Sequence, residues 1–292
     1  MPLSERHYPV LVTGAAGLLG HALRARLIRA APGADALHLT DLAELDVTDS
    51  GAVADAVRTI RPQTVFHLAA WTDVDGAETH PREARQLNVE AAETVARAAA
   101  DAGALVVHMS TDFIFDGTKP GVYVEDDPPS PQSVYAQTKA EAEARVRAAA
   151  PGGHLIVRTA WLYGAGGRDF IDVILERARA GDPLRVVTDQ IGCPTWNEDL
   201  AEALVAMVES GARGTLHACG RGEASRWDLA VEALRAAGLD TMPERVTTAD
   251  MPRPARRPAR AVLSTARLAE TVGFRFPPWQ ESVRRYVASM GG

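Results

Sequence analysis

Residues 10–20 read VLVTGAAGLLG, an apolar and β-branched run that is followed at once by three spaced glycines. The run predicts a buried strand over residues 10–12, and the alanine- and arginine-rich stretch after it predicts a helix over residues 20–30. Glycines let the turn between them tighten and let the backbone approach a pyrophosphate, which the N–H groups at the helix start would bind. The alternative is a tight turn whose glycines serve packing alone. The residues predicted to form the phosphate-binding turn are Gly14, Gly17, Leu18, Leu19 and Gly20.

Strands and helices alternate along the first 160 residues. Continuous apolar strands joined by helices indicate right-handed βαβ units and a parallel sheet that is covered on both faces. The predicted fold class is therefore α/β, with a Rossmann-type doubly wound parallel sheet as the dinucleotide-binding domain over residues 1–160. The strands are predicted at residues 37–40, 64–68, 105–109 and 155–157, and the helices at 48–60, 84–102 and from near Tyr135 to residue 149.

The pattern loosens after residue 160, where loops containing glycine and proline separate the helical segments. Helices are predicted there at residues 169–180, 198–209 and 226–237. This indicates a smaller, discontinuous carboxy-terminal substrate lobe over residues 161–292, with some segments returning to the Rossmann sheet.

The composition is that of an ordinary globular protein, since 46% of the 292 residues are hydrophobic and 24% are charged. A formal net charge of −7 argues against a nucleic-acid partner. No apolar stretch approaches the roughly 18 residues of a membrane span, and the amino terminus lacks the pattern of an export signal. Cys193 and Cys219 match no metal-binding spacing and are expected to be unpaired thiols. A cytoplasmic protein without a membrane partner is expected.

Asp41 stands 21 positions after Gly20, at the end of the second predicted strand. A carboxylate at this point can accept hydrogen bonds from the hydroxyl groups of an adenosine ribose, and it would repel a 2′-phosphate. Because no arginine follows it immediately, NADH is slightly favoured over NADPH as the cofactor. The alternative for Asp41 is a loop-capping role. Asp46 and Val47 are further candidates, for contact with the adenine edge.

Tyr135 and Lys139 are four residues apart, which places a phenol and an ammonium group on one face of a predicted helix. This pair suits ketone reduction, because the phenol can donate a proton to the forming alkoxide while the ammonium lowers the phenol pKa and holds the nicotinamide ribose. Thr111 and Asp112 follow a predicted strand at the carboxyl edge of the sheet, where a hydroxyl can hydrogen-bond a substrate carbonyl. The predicted catalytic residues are Thr111, Tyr135 and Lys139. The alternative is a turn threonine beside a solvated helix surface.

Longer stretches are more selective than these short motifs, and they continue along nearly the whole chain. They resemble the dTDP-4-dehydrorhamnose reductase family of extended short-chain dehydrogenases, a group to which the G-x-x-G-x-x-G spacing also points. The matching stretches are residues 68–78 (LAAWTDVDGAE), Asn88, residues 108–117 (HMSTDFIFDG), 125–139 (EDDPPSPQSVYAQTK), 158–164 (RTAWLYG), 189–195 (DQIGCPT), 199–201 (DLA) and Trp227.

The resemblance implies roles for several residues. Thr111, Tyr135 and Lys139 would occupy the family's catalytic positions, and Trp161 would line the sugar pocket. Core packing for Trp161, and an ordinary polar position within a helix for Asn88, remain alternatives. The resemblance also implies a homodimer, in some members bridged by magnesium, but no metal ligand can be matched to a position in this chain. The residues that would border the cofactor are Ala69, Ala70, Thr72 and Asn88.

Four arginines form a basic cluster near the carboxy terminus: Arg253, Arg256, Arg257 and Arg260. Guanidinium groups bind phosphates bidentately, so Arg257 above all is a candidate to bind the diphosphate of a sugar nucleotide. The alternative is a solvated basic loop. Arg260 and Ala261 stand where asparagine and serine are usual in the family, and this departure bears on substrate specificity.

Three functional hypotheses follow. The first is NADH- or NADPH-dependent reduction of the C4 ketone of a dTDP-linked 6-deoxy-4-hexulose, as the resemblance implies. The second is 4-ketoreduction of another nucleotide-linked deoxysugar in natural-product biosynthesis, which the departure at Arg260 and Ala261 motivates. The third is a non-catalytic regulatory subunit resembling the methionine adenosyltransferase beta subunit, and the complete set of hydroxyl, tyrosine and lysine argues against it.

Overall fold

Twelve strands are present in a computed structural model that describes residues 2–290. They are β1 (Val10–Thr13), β2 (Leu37–Thr40), β3 (Thr64–His67), β4 (Leu105–Thr111), β5 (His154–Thr159), β6 (Leu162–Tyr163), β7 (Arg185–Val187), β8 (Ile191–Gly192), β9 (Thr195–Trp196), β10 (Gly214–His217), β11 (Ala224–Ser225) and β12 (Glu244–Val246). Six of them form one sheet in the order β10-β5-β4-β3-β1-β2, and every pairing in it is parallel. The predicted Rossmann-type fold is confirmed.

Helices cover both faces of this sheet and form most of the regular structure after residue 160. They are α1 (Leu18–Ala30), α2 (Ser50–Ile60), α3 (Val74–Thr79), α4 (Pro81–Arg85), α5 (Ala91–Asp101), α6 (Val134–Ala149), α7 (Phe170–Arg179), α8 (Asn197–Glu209), α9 (Arg226–Ala236), α10 (Ala266–Val272) and α11 (Trp279–Ser289). Short 3-10 turns lie at Glu5–His7, Ala34–Ala36, Asp112–Ile114 and Thr248–Asp250.

Alternate residues of the central strands enter two separate cores, as a sheet buried on both faces requires. Val10 and Val12 of β1 pack with α1 and α8 on one face. Leu11, between them, packs with α2, α5 and α6 on the other. A third core joins α7, α9 and α11. Each face of the sheet is therefore closed, and only its edges remain for a ligand.

Two differences from the sequence expectations bear on the main sheet and on the site. β10 was not predicted, yet it pairs with β5 and becomes the edge strand of the main sheet. The helix predicted over residues 84–102 is interrupted by a π-helical turn over Gln86–Glu90. Such turns add one residue to a helical repeat and are frequent at functional sites.

Two further observations concern the whole chain. Among residues 2–290, no helix combines the length and the apolar character that crossing a membrane would require. The two cysteines, distant in sequence, are both buried and unpaired, and their Sγ atoms lie 3.9 and 3.8 Å from the Leu263 carbonyl oxygen.

Candidate active site

A cleft of about 1010 Å³ opens at the carboxyl edge of the main sheet. It lies where the strand order reverses, because β1 is flanked by β2 on one side and by β3 on the other. All predicted site residues line it except Asn88. Those residues are Gly14, Gly17, Leu18, Leu19, Gly20, Asp41, Asp46, Val47, Ala69, Ala70, Thr72, Thr111, Asp112, Tyr135, Lys139, Trp161 and Arg257.

The glycine turn is shaped by close backbone contacts. Gly14 has φ +71°, and a Cβ at this position would come within 2.6 Å of the Ala69 nitrogen. A Cβ at Gly20 would come within 2.4 Å of the Gly14 carbonyl oxygen. The N–H groups of Leu18 and Leu19, at the start of the 13-residue α1, have no hydrogen-bond partner among the described residues. Unpaired donors at a helix start suit an anion, so the turn fits the diphosphate of a dinucleotide.

Two aspartates form the far end of the cleft. The Asp41 carboxylate accepts hydrogen bonds from the backbone N–H groups of Ala16 and Leu42, both at 2.9 Å. It therefore ties the end of β2 to the glycine turn. Asp46 accepts from the N–H and the hydroxyl of Thr48, and these bonds lower the pKa of Asp46. Both carboxylates keep this end of the cleft anionic.

The start of α6 positions the tyrosine and the lysine. Ser133 caps the helix by accepting a hydrogen bond from Ala136 N–H at 3.3 Å, and Glu78 accepts one from Val134 N–H at 2.8 Å. Tyr135 lies in the first turn and Lys139 one turn later, so both side chains reach the cleft. They are 9% and 4% exposed.

Burial sets the protonation of both groups. It raises the pKa of Tyr135 to about 12, while the neighbouring Thr111 hydroxyl acts in the opposite direction. The phenol is thus protonated at neutral pH, and the expected lowering of its pKa by Lys139 is not found, because burial is the largest influence on that pKa and raises it. Burial also lowers the pKa of Lys139 to about 8. The Thr111 hydroxyl donates to Asp112 at 3.0 Å and accepts from Phe113 N–H at 3.2 Å, which fixes its orientation.

The lysine pKa gives a pH dependence with a definite sign. Lys139 is charged below pH 8 and neutral above it, so kcat/KM for a cofactor that needs this charge falls as pH rises through about 8. Lys139→Arg keeps a positive charge to beyond pH ~12. Its pH profile, measured from pH 6 to about 9.5, is therefore expected to lack the fall. The same fall in Lys139→Arg would contradict the assignment.

Asn88 lies behind the cleft rather than in its wall. Its side-chain oxygen accepts from Trp71 N–H at 2.8 Å, and its amide donates to the Trp71 carbonyl at 3.2 Å and to the Thr138 hydroxyl at 3.0 Å. The π-helical turn brings Asn88 to this position. It therefore holds the segment with Ala69, Ala70 and Thr72 against α6, and it has no free donor for a cofactor.

Trp161 lies in the opposite wall and has φ +46°, an uncommon conformation for a bulky residue. Its indole ring packs on Gly192, where a Cβ would come within 2.5 Å of a ring carbon. The Arg226 guanidinium lies over the same ring, 3.7 Å from its centroid. The indole is held between them as one wall of the cleft, which differs from simple core packing.

The comparisons with known proteins agree with this geometry. Residues 8–291 match the family model described as RmlD substrate binding domain. The chain is 38% identical over 288 residues to a dTDP-4-dehydrorhamnose reductase of Sinorhizobium fredii, covering 94% of this chain and 95% of that relative. The chain belongs to the dTDP-4-dehydrorhamnose reductase family.

Two further proteins are similar to this chain over most of its length. A probable dTDP-4,6-dihydroxy-2-methyloxan-3-one 4-ketoreductase of Streptomyces antibioticus is 41% identical over 281 residues, covering 94% of this chain and 92% of the relative. The structure of a dTDP-4-dehydrorhamnose reductase of Bacillus anthracis in complex with NADP has a TM-score of 0.92 at 30% identity, covering 99% of this chain and 100% of that chain.

Most arginines of the basic cluster near the carboxy terminus are paired with carboxylates of this chain. Arg257 lines the cleft, but its guanidinium is bidentate to Asp75 at 3.0 and 2.9 Å, and these hydrogen bonds lower the pKa of Asp75. Arg253 approaches the same carboxylate at 3.7 Å. Arg260 pairs with Glu223 and donates to the Gly121 carbonyl. Neither Arg260 nor Ala261 lines the cleft.

Sequence reasoning missed Arg226, which lines the cleft between Trp161 and Asp112. Its only sequence signal is a basic residue at the start of a predicted helix, which is too common to be selective. Within residues 2–290, no group of three or more His, Cys, Asp or Glu side chains is placed to hold a metal ion.

Proposed function

We propose that the protein catalyses NAD(P)H-dependent reduction of the C4 ketone of a dTDP-linked 6-deoxy-4-hexulose, the dTDP-4-dehydrorhamnose reductase reaction. The observation that supports this most directly is that Thr111, Tyr135 and Lys139 line the same cleft as the Gly14–Gly20 turn. The class of substrate is inferred from the name of the similar Sinorhizobium fredii protein, a dTDP-4-dehydrorhamnose reductase.

Thr111, Tyr135 and Lys139 each have a separate role in the proposed reaction. A bound nicotinamide cofactor supplies the hydride that adds to the ketone carbon. The Thr111 hydroxyl would turn its proton from Asp112 to the carbonyl oxygen and so orient it, and Tyr135 donates its phenolic proton to that oxygen as the alcohol forms. Lys139 stabilises the tyrosinate left behind and binds the nicotinamide ribose. The phenol regains its proton from solvent after the product leaves.

The experiment is a turnover assay with purified protein, dTDP-4-dehydrorhamnose and either NADH or NADPH. Cofactor oxidation is followed by absorbance, and the product is identified by NMR. One dTDP-rhamnose formed per cofactor oxidised is expected. Cofactor binding without oxidation in the presence of dTDP-4-dehydrorhamnose would overturn the proposal, and tight binding of a partner protein in that case would favour a regulatory subunit.

NADH remains the slightly favoured cofactor, because Asp41 lines the cleft and residues 42–57 contain no lysine or arginine to bind a 2′-phosphate. Asp41→Asn removes the repulsive charge but can still accept a backbone hydrogen bond. The ratio of kcat/KM for NADPH to that for NADH is expected to rise about tenfold. Asp35→Asn, outside the cleft, is the control. An unchanged ratio in Asp41→Asn would show that Asp41 does not select the cofactor.

A second candidate substrate is another dTDP-linked 4-keto deoxysugar. The similarity to the Streptomyces antibioticus ketoreductase supports it. The side chains of Arg260 and Ala261, which first motivated it, lie outside the cleft. A panel of dTDP-4-keto sugars ranked by kcat/KM distinguishes the two candidates.

The proposal also includes the organisation of the enzyme. Residues 1–160 would bind the cofactor, residues 161–292 would mainly bind the substrate, and the enzyme would act as a homodimer in the cytoplasm. The unpaired thiols of Cys193 and Cys219 are compatible with a reducing compartment.

A further inference from the structure

Arg226 is the first residue of α9, and its side chain forms part of the cleft wall. The guanidinium carbon lies 3.7 Å from the centroid of the Trp161 ring and 5.3 Å from that of Phe170. The helix start is fixed, because Ser225 and Asp228 form a reciprocal capping box and Arg226 N–H donates to the Gln190 carbonyl at 3.2 Å. The guanidinium is therefore held in one place before a ligand arrives.

The charge of Arg226 has no partner within the described part of the chain. Its guanidinium makes no side-chain hydrogen bond and no ion pair within 4.0 Å among residues 2–290, whereas Arg257 is bidentate to Asp75. Burial lowers the pKa of Arg226 to about 10, so the group is charged at neutral pH. The Arg226 side chain is only partly exposed, and its guanidinium reaches the cleft with no acceptor from the described residues, so a bound anion can supply one.

The other charged residues of the cleft indicate which anionic group of a ligand would pair with Arg226. Burial raises the pKa of Asp112 to about 7, so this carboxyl group balances Arg226 only partly at neutral pH. Lys139 lies beside Tyr135, and the glycine turn would hold the phosphates of a cofactor. Arg226 is thus the cation left for the substrate. A planar guanidinium matches two oxygens of a phosphate, while a sugar hydroxyl would leave its charge unbalanced.

We propose that Arg226 binds a phosphate of the substrate's diphosphate and is a specificity-determining residue of the cleft. This inference rests on the proposed function for the class of substrate. The charge of Arg257 is already balanced by Asp75, so Arg257 would form part of the cleft wall and contribute little to neutralising the substrate's diphosphate. Stacking on Trp161 couples the phosphate contact to the ring that walls the sugar pocket.

The test compares Arg226→Gln and Arg226→Lys with Arg235→Gln, which alters an arginine of the same helix whose side chain is 75% exposed. For each variant, KM and kcat are measured with the sugar nucleotide as substrate. The inhibition constants of dTDP and of thymidine are then measured in competition with that substrate. Arg226→Gln is expected to weaken dTDP about 30-fold and to leave thymidine unchanged. Arg226→Lys should recover part of the loss, and Arg235→Gln should behave as wild type.

Two outcomes separate this inference from the proposed function. If wild-type protein reduces dTDP-4-dehydrorhamnose but Arg226→Gln binds dTDP normally, the phosphate contact is wrong and the function stands. A loss confined to the sugar nucleotide, with dTDP unaffected, would likewise overturn it in favour of a hydroxyl contact. If wild-type protein reduces no dTDP sugar, the affinities of UDP and GDP are measured by direct binding instead. Weaker binding of either nucleotide by Arg226→Gln then supports the inference although the proposed function fails, and unchanged binding of both overturns it.

Discussion

Replacing Tyr135 with phenylalanine is expected to reduce kcat about 1000-fold, because the phenolic proton is the one that the forming alkoxide takes. Burial holds the pKa of this phenol at about 12, so it is a protonated donor throughout the usual working range. The ring itself stays, and with it the edge contact to Phe113 at 5.7 Å between ring centroids. KM for the cofactor should therefore change little, and steady-state kinetics separates the two constants.

Tyr123→Phe is the matched control for this variant. Tyr123 is also buried, but its hydroxyl donates to Asp116 at 3.0 Å outside the cleft, so kcat should be retained. A Tyr135→Phe variant with more than about a tenth of wild-type kcat would remove the phenol from the proton-donating role.

The second large effect concerns stability rather than catalysis. Glu143 and Arg158 form a bidentate pair, with both nitrogen–oxygen distances at 2.8 Å and side chains only 1% and 2% exposed. Glu143→Gln leaves the Arg158 guanidinium buried without its counter-charge. The free energy of unfolding is expected to fall by about 3 kcal/mol or more, measured by urea denaturation at pH 7.

A double variant distinguishes the loss of a pair from the loss of a well-packed side chain. Glu143→Leu combined with Arg158→Met removes both charges and keeps much of the apolar volume. It is expected to be more stable than either single variant, since neither charge is left unpaired. A Glu143→Gln variant within about 1 kcal/mol of wild type would show that solvent reaches Arg158.

The parts of the site that the sequence predicted are those that depend on local spacing. The Gly14–Gly20 turn needs only a strand before it and a helix after it. Tyr135 and Lys139 share a helix face whatever the tertiary structure. Parallel strands bring their carboxyl ends to one edge of a sheet, so the position of Thr111 directly after a strand predicts that it lies near them.

The parts that were missed depend on contacts between distant segments. The pairing of Arg257 with Asp75 joins a carboxy-terminal loop to α3, and no spacing rule connects them. Arg226 reaches the cleft only because α9 packs beside Trp161. Asn88 was assigned to the cofactor wall, but the π-helical turn directs its side chain to Trp71 and Thr138, a local distortion that helical periodicity does not reveal.

The most direct measurement is a crystal structure of wild-type protein with NAD⁺ and dTDP-rhamnose. We expect the C4 hydroxyl oxygen of the sugar to lie within about 3 Å of the Tyr135 hydroxyl, with the C4 carbon facing the nicotinamide ring. A sugar bound with that oxygen more than about 5 Å from Tyr135, while both ligands are fully ordered, would contradict the account.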